Sequence, residues 1–401
     1  MSLQSNTFIK YLDEYSKKDD LKHKDYIEII RNINSSYICN NYSSPNFCSQ
    51  TFPQYDPQTQ KRTYEEWQKQ HNIFIEPLLN ENYKEKRIIK TNISKIGDLL
   101  TIIKNNNYDS SYSYNIDLKS LHKIKNELVE IDNMIGMDSL KDSVLDQLLY
   151  FLQGLHSYSK GDYKHTILYG PPGTGKTEIA KLLGVMYSKI GILKNNIFKK
   201  VTRSDLIAGY LGQTAMKTKK VIEECLGGVL FIDEVYSLGS LDSDNYSTEC
   251  IDTLCEALSD KKDNLMVIIA GYKDDIEKRF FASNKGLESR FIWKFTIDKY
   301  NYEELYSIFK KIVIDGKWLL DDEVTNEWFK ENNDKFKSYG RDVEVLFTYS
   351  KIAFSRRMYG NDIQERKITI DDLNNGLKTF ENNKIEKINE EKKFIMNTLY
   401  S

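Results

Sequence analysis

His165-Thr166-Ile167-Leu168-Tyr169-Gly170-Pro171-Pro172-Gly173-Thr174-Gly175-Lys176-Thr177 joins a short apolar run to a segment of helical periodicity over 177–190. The eight residues from Gly170 satisfy G-x-x-x-x-G-K-[ST] in full, and strand before, helix after is the setting that motif requires. Its glycines let successive backbone N–H groups turn toward a β-phosphate, and the following helix adds its positive N-terminal end to the cradle. Gly170, Pro171, Pro172, Gly173, Thr174 and Gly175 are therefore candidate phosphate-binding residues. Lys176 is placed to reach β- and γ-phosphates, and Thr177 to offer a hydroxyl to Mg²⁺, a hard cation that prefers oxygen.

Roughly sixty residues downstream, Val229-Leu230-Phe231-Ile232-Asp233-Glu234 is an apolar strand that delivers two carboxylates at its C-terminal end, where open α/β sheets bind ligands. Alone, such a pair reads as a solvated strand end or a helix cap. Coupled to the glycine loop, Asp233 becomes a candidate for the Mg²⁺ shell and Glu234 for orienting and polarising an attacking water. Both motifs point to a nucleoside triphosphate as the ligand and to its hydrolysis.

Outward from these motifs, short apolar runs at 165–169, 197–201, 229–232, 265–270 and 291–297 alternate with helical patterns at 177–190, 214–226 and 247–258. That alternation predicts an α/β fold, a five-stranded parallel sheet flanked by helices, over residues 116–300. Beyond Tyr300 the apolar spacing is helical at 302–313, 324–332, 342–359 and 370–382, which predicts a small helical lid over 301–383 and a charged tail over 384–401. Residues 1–115 read as an N-terminal region, mostly helical or irregular, with a loop-rich stretch at 32–60 and an Asn- and Tyr-rich linker at 104–115.

The 401 residues exceed what one core usually organises. With 57 Lys+Arg against 59 Asp+Glu, the net charge of -2 provides no global field toward nucleic acid. No apolar run approaches the ~20 residues of a membrane span, and the first residues lack a signal-peptide core, so the expectation is a soluble, intracellular protein. The five cysteines show no C-x-x-C spacing, and Cys250 and Cys255 share helical spacing with Ile251, Leu254 and Leu258, the pattern of a buried face. The five histidines have no ligand spacing.

Further blocks surround the two motifs: Ile135-Gly136-Met137, Ala208-Gly209-Tyr210-Leu211-Gly212-Gln213-Thr214, Gly227-Gly228, Ala270-Gly271-Tyr272, and Ser283 through Phe291. In that order they make the chain resemble an AAA+ ATPase, most closely the branch of red-type rubisco activase and stage V sporulation protein K, over residues 126–380. The resemblance implies that Ile135 and Gly136 border the adenine and that Tyr210 and Leu211 line a central pore that grips polypeptide. It implies that Arg290 is an arginine finger reaching a neighbouring subunit's γ-phosphate, with Arg279 as a competitor. Arg341, in Tyr339-Gly340-Arg341-Asp342, resembles a sensor that ties the lid to the nucleotide. Tyr272 stands where the wider superfamily has a small polar sensor, although the nearest branch also has Gly-Tyr there.

The expected partners are further copies of the chain, in a homo-hexamer, and a protein client whose identity these residues do not encode. Two other readings share the phosphate-binding residues. One is an ATP-dependent assembly scaffold with slow hydrolysis, and the other, disfavoured by the charge balance, is a nucleic-acid-directed motor.

Overall fold

The computed structural model describes residues 84–157, 162–210, 212–239, 245–361 and 365–399, so the expected loop-rich stretch at 32–60 lies outside the described residues. The compact unit begins at Lys84. Strand β1 (Glu85–Arg87) pairs in parallel with β2 (Tyr112–Tyr114) around α1 (Ile96–Asn105). Ile96, Leu99, Ile102 and Ile103 of α1 are buried, one stripe of an amphipathic helix. Helices α2 (Leu118–Lys123) and α3 (Lys125–Asp132) follow, with the Asp117 side chain capping α2 by accepting from the Ser120 amide at 3.0 Å.

The linker expected at 104–115 is therefore corrected: it contains the end of α1 and all of β2. Two of its asparagines bond backbone groups. Asn115 accepts from the Ile89 amide at 2.8 Å and donates to the Ile89 carbonyl at 3.2 Å, and Asn106 donates to the Ile102 carbonyl at 2.9 Å.

After α4 (Asp138–Leu152) come β3 (Thr166–Tyr169), α5 (Lys176–Lys189), β4 (Phe198–Val201), α6 (Arg203–Leu206), α7 (Gln213–Glu224), β5 (Val229–Ile232), α8 (Asn245–Asp260) and β6 (Met266–Gly271). A short α9 (Lys273–Asp275) runs into a π-helical stretch, Ile276–Phe281, and then β7 (Trp293–Thr296) completes the sheet. The five long-range strands lie in the order β4-β5-β6-β3-β7, every pair parallel.

Alternate residues serve opposite faces. Leu168, Val229, Phe231, Ile268 and Ala270 pack with α4 and α5, while Ile167, Leu230, Ile232, Val267 and Ile269 pack with α7 and α8. Burial on both faces is why these strands read as unbroken apolar runs. Cys250 lies fully buried on the second face beside Ile251, Leu254 and Leu258, and burial pushes its thiol up to about 11.

Helices α10 (Tyr302–Asp315), α11 (Asn326–Glu331), α12 (Gly340–Met358) and α13 (Ile370–Leu399) form the lid. The lid is not purely helical as expected, because β8 (Leu319–Leu320) pairs in parallel with β9 (Lys367–Ile368). Two-residue strands carry no period, so pattern alone does not expose them. Lid residues Leu305, Phe309, Leu346 and Phe347 belong to the same hydrophobic cluster as the α4/α5 face of the sheet. Among the described residues no helix is long and apolar enough to cross a membrane.

Candidate nucleotide-binding site

The ladder hydrogen bonds of β3 carry on past its end, with the Gly170 amide donating to the Gly271 carbonyl at 3.1 Å and the Ile297 amide to Tyr169 at 2.8 Å. The loop then turns on two glycines in the left-handed region, Gly173 at φ 75° and Gly175 at φ 83°. At Gly173 a Cβ would overlap the Ser338 carbonyl oxygen, so the lid closes directly on this loop. Lys176 and Thr177 open α5, whose N-terminal amides face the loop. The Lys176 ammonium donates to the carbonyls of Gly170 at 3.0 Å and Pro171 at 2.6 Å. Burial is the largest influence on Lys176 and draws its pKa below the usual lysine value. Asp233 and Glu234 pull it back up, while Arg341 and Lys200 press it further down.

The Asp233 amide continues the ladder by donating to Val201 at 3.3 Å. Glu234 then adopts φ 49° and ψ 46°, a left-handed conformation, and its side chain is exposed beyond the end of β5. Tyr236 sits beside it, and burial pushes that hydroxyl up to about 12, with the Glu234 charge contributing next. The contact that sequence reasoning missed is Lys200, on β4. Its ammonium donates to Asp233 Oδ2 at 2.7 Å and to Thr177 Oγ1 at 3.4 Å. One cation thus reaches both proposed Mg²⁺ ligands, so the oxygen pair fits a hard divalent ion. Lys200, Thr202, Arg203, Asp233, Glu234 and Ser237 line a cleft of about 550 Å³ there.

Ile135 and Gly136 lead into a left-handed turn that bridges loop and lid. A Cβ on Gly136 would overlap the Glu304 carboxylate of α10, and one on Gly175 would lie 3.2 Å from the Met137 methyl. The Gly340 amide donates to the Gly173 carbonyl at 3.1 Å, which sets Arg341, exposed on the first turn of α12, beside the loop. Tyr272 follows β6 at the same end of the sheet, 42% exposed, its ring 6.4 Å from that of Tyr236.

Arg290 is not brought to this site. It precedes β7, whose first residue Trp293 pairs with Thr166 at the far end of β3, so the whole strand separates it from its own loop. Its Nε donates to Ser259 Oγ at 2.7 Å and its Nη1 to the Gly286 carbonyl. Arg279 pairs with Asp275 at 3.4 Å within its own helical stretch. Tyr210 is 73% exposed, and Met216 nearby on α7, a second apolar side chain that the sequence reading passed over, is 74% exposed. Leu211 lies outside the described residues.

A parallel sheet with a glycine-rich phosphate loop after one strand and an acidic pair after another, one strand removed, defines a P-loop nucleotide hydrolase. Residues 166–288 match the ATPase family associated with various cellular activities (AAA), and the chain belongs to that family of ATP-hydrolysing proteins. It is 37% identical over 327 residues to a cfxQ-like protein, R730, of Acanthamoeba polyphaga mimivirus, covering 80% of this chain and 79% of that protein. It is also 31% identical to stage V sporulation protein K of Bacillus subtilis, over 60% of this chain and 72% of that one. To the ESX-3 secretion system protein EccA3 of Mycobacterium leprae it is 34% identical over 68% of its length, but spans only 40% of that relative. The match to the viral protein covers too much of the chain to begin at residue 126, so it extends N-terminal of the residues that carry the AAA+ resemblance.

Proposed function

We propose that the chain works as a homo-hexameric ring in which ATP turnover remodels or threads a protein client. In this reading the loop amides from Gly170 to Gly175 and the Lys176 ammonium hold the phosphates, which requires Lys176 to leave the carbonyls of Gly170 and Pro171. Thr177 and Asp233 would hold Mg²⁺, which would supply neutralising charge to the phosphates. Glu234, exposed beyond the strand end beside Tyr236, orients the attacking water and takes its proton. Ile135 and Gly136 border the adenine, Arg341 couples the lid to the phosphates, and Tyr272 faces the same edge. Tyr210 and Leu211 would grip the client.

The observation that supports a ring best is the place of Arg290, held at the opposite end of the strands from its own phosphate loop. An arginine so placed serves a phosphate only in trans, where such a group is worth ~10³ to 10⁵ in rate. Mixing two inactive variants tests this. Arg290→Ala and Lys176→Ala are each expected to be without measurable turnover. An equimolar mixture should recover roughly a tenth or more of the parent rate, because Lys176→Ala subunits lend their arginine to intact neighbouring sites. A mixture as inactive as its components would remove the trans assignment.

A further inference from the structure

The two lysines at the phosphate loop divide their work in an unexpected way. Lys176 spends its ammonium on two loop carbonyls, while the charge of Asp233 is met by Lys200 from the neighbouring strand. Lys200 occupies the edge strand β4, opposite Phe231 of β5 in the ladder, and its ammonium lies 5.8 Å from the Phe231 ring. From there it meets Asp233 Oδ2 at 2.7 Å and Thr177 Oγ1 at 3.4 Å. These oxygens belong to different elements, the end of β5 and the first turn of α5, and this one ammonium ties them together.

We propose that Lys200 is a built-in competitor of magnesium, an intramolecular cation that must give up Asp233 before the metal and nucleotide are held together. The inference rests on Thr177 and Asp233 being the magnesium ligands. A magnesium ion that draws on the hydroxyl and the carboxylate demands the same oxygens at ~2.1 Å or through its waters, and two cations do not share them without repulsion. The ion pair is partly exposed, with 44% of the Lys200 side chain and 24% of Asp233 accessible, so the stem has open cleft to swing into. Lys200 acts through Asp233 and is thus a positioning residue. Its consequence is a raised magnesium requirement, with the ligand pair kept together until the metal arrives.

The test is the affinity for ADP, measured by calorimetry in magnesium chloride and again in EDTA, for the full chain and for Lys200→Met, which keeps an unbranched apolar stem along Phe231. The ratio of the two affinities isolates the coupling between metal and nucleotide. It should rise about fivefold in Lys200→Met, the scale of a partly exposed ion pair. Lys200→Arg should keep the parent ratio within about twofold, since it keeps the charge. In Asp233→Asn the ratio should fall toward one whether or not Lys200 is present. An unchanged or smaller ratio in Lys200→Met, with the parent still dependent on magnesium, would overturn this inference alone. A parent whose ADP affinity ignores magnesium would overturn the ligand assignment beneath it as well.

Discussion

Glycine at position 173 is required twice over, by a left-handed φ of 75° and by the Ser338 carbonyl that fills the space where a side chain would begin. Left-handed backbone costs an L-residue about 1–2 kcal/mol, and the overlap adds to that by prising the lid turn from the loop. Gly173→Ala should therefore lower the melting temperature by about 3–8 °C and weaken ADP binding by roughly tenfold or more. A thermal melt with and without ADP checks both, and a variant indistinguishable from the parent would mean that loop and lid do not meet as described. Glu234 illustrates the opposite choice. It accepts a left-handed backbone, worth about 1–3 kcal/mol of strain, at the position where the strand must release a carboxylate into the cleft.

At the scale of elements, the sheet and lid share one hydrophobic cluster, since Phe309 and Phe347 of the lid and Phe231 and Phe295 of the sheet belong to it together. A lid packed this way should not melt separately. Phe309→Ala removes a fully buried ring and is expected to cost about 3–5 kcal/mol, seen as an earlier urea midpoint of one shared transition. Two transitions, with lid residues Trp318 and Trp328 reporting before Trp293 of β7, would contradict it. The same packing explains what was legible in the sequence. The five sheet strands stood out because burial on both faces demands continuous apolar residues, and the lid helices because one face of each is buried. Strands β8 and β9 were too short to show a period, and β2 was hidden because its Tyr-Ser-Tyr sequence, followed by Asn115, resembles a linker in composition. The phosphate loop and acidic pair were legible because their chemistry is local in sequence. Lys200 was not, because its role depends on β4 lying next to β5, a fact of strand order rather than of spacing.

Across the whole molecule, the candidate site draws on the phosphate loop after β3, the acidic turn after β5, the turn before α4 and the first turn of α12. These converge at one end of the sheet, and Arg290 stands at the other. That polarity is what a ring of like subunits would use, each presenting its arginine edge to the next subunit's phosphate edge. The central claim beneath it is that a nucleotide triphosphate with its magnesium is clasped between the amides around Lys176 and the carboxylates that follow β5. The most direct measurement is a calorimetric titration of the full chain with a non-hydrolysable ATP analogue and magnesium, beside Lys176→Ala. The expected result is one site per subunit in the parent and affinity lower by about 10- to 100-fold in the variant, the worth of a charge-assisted contact to phosphate. Equal affinity in the two proteins, or no binding by the folded parent, would contradict the account.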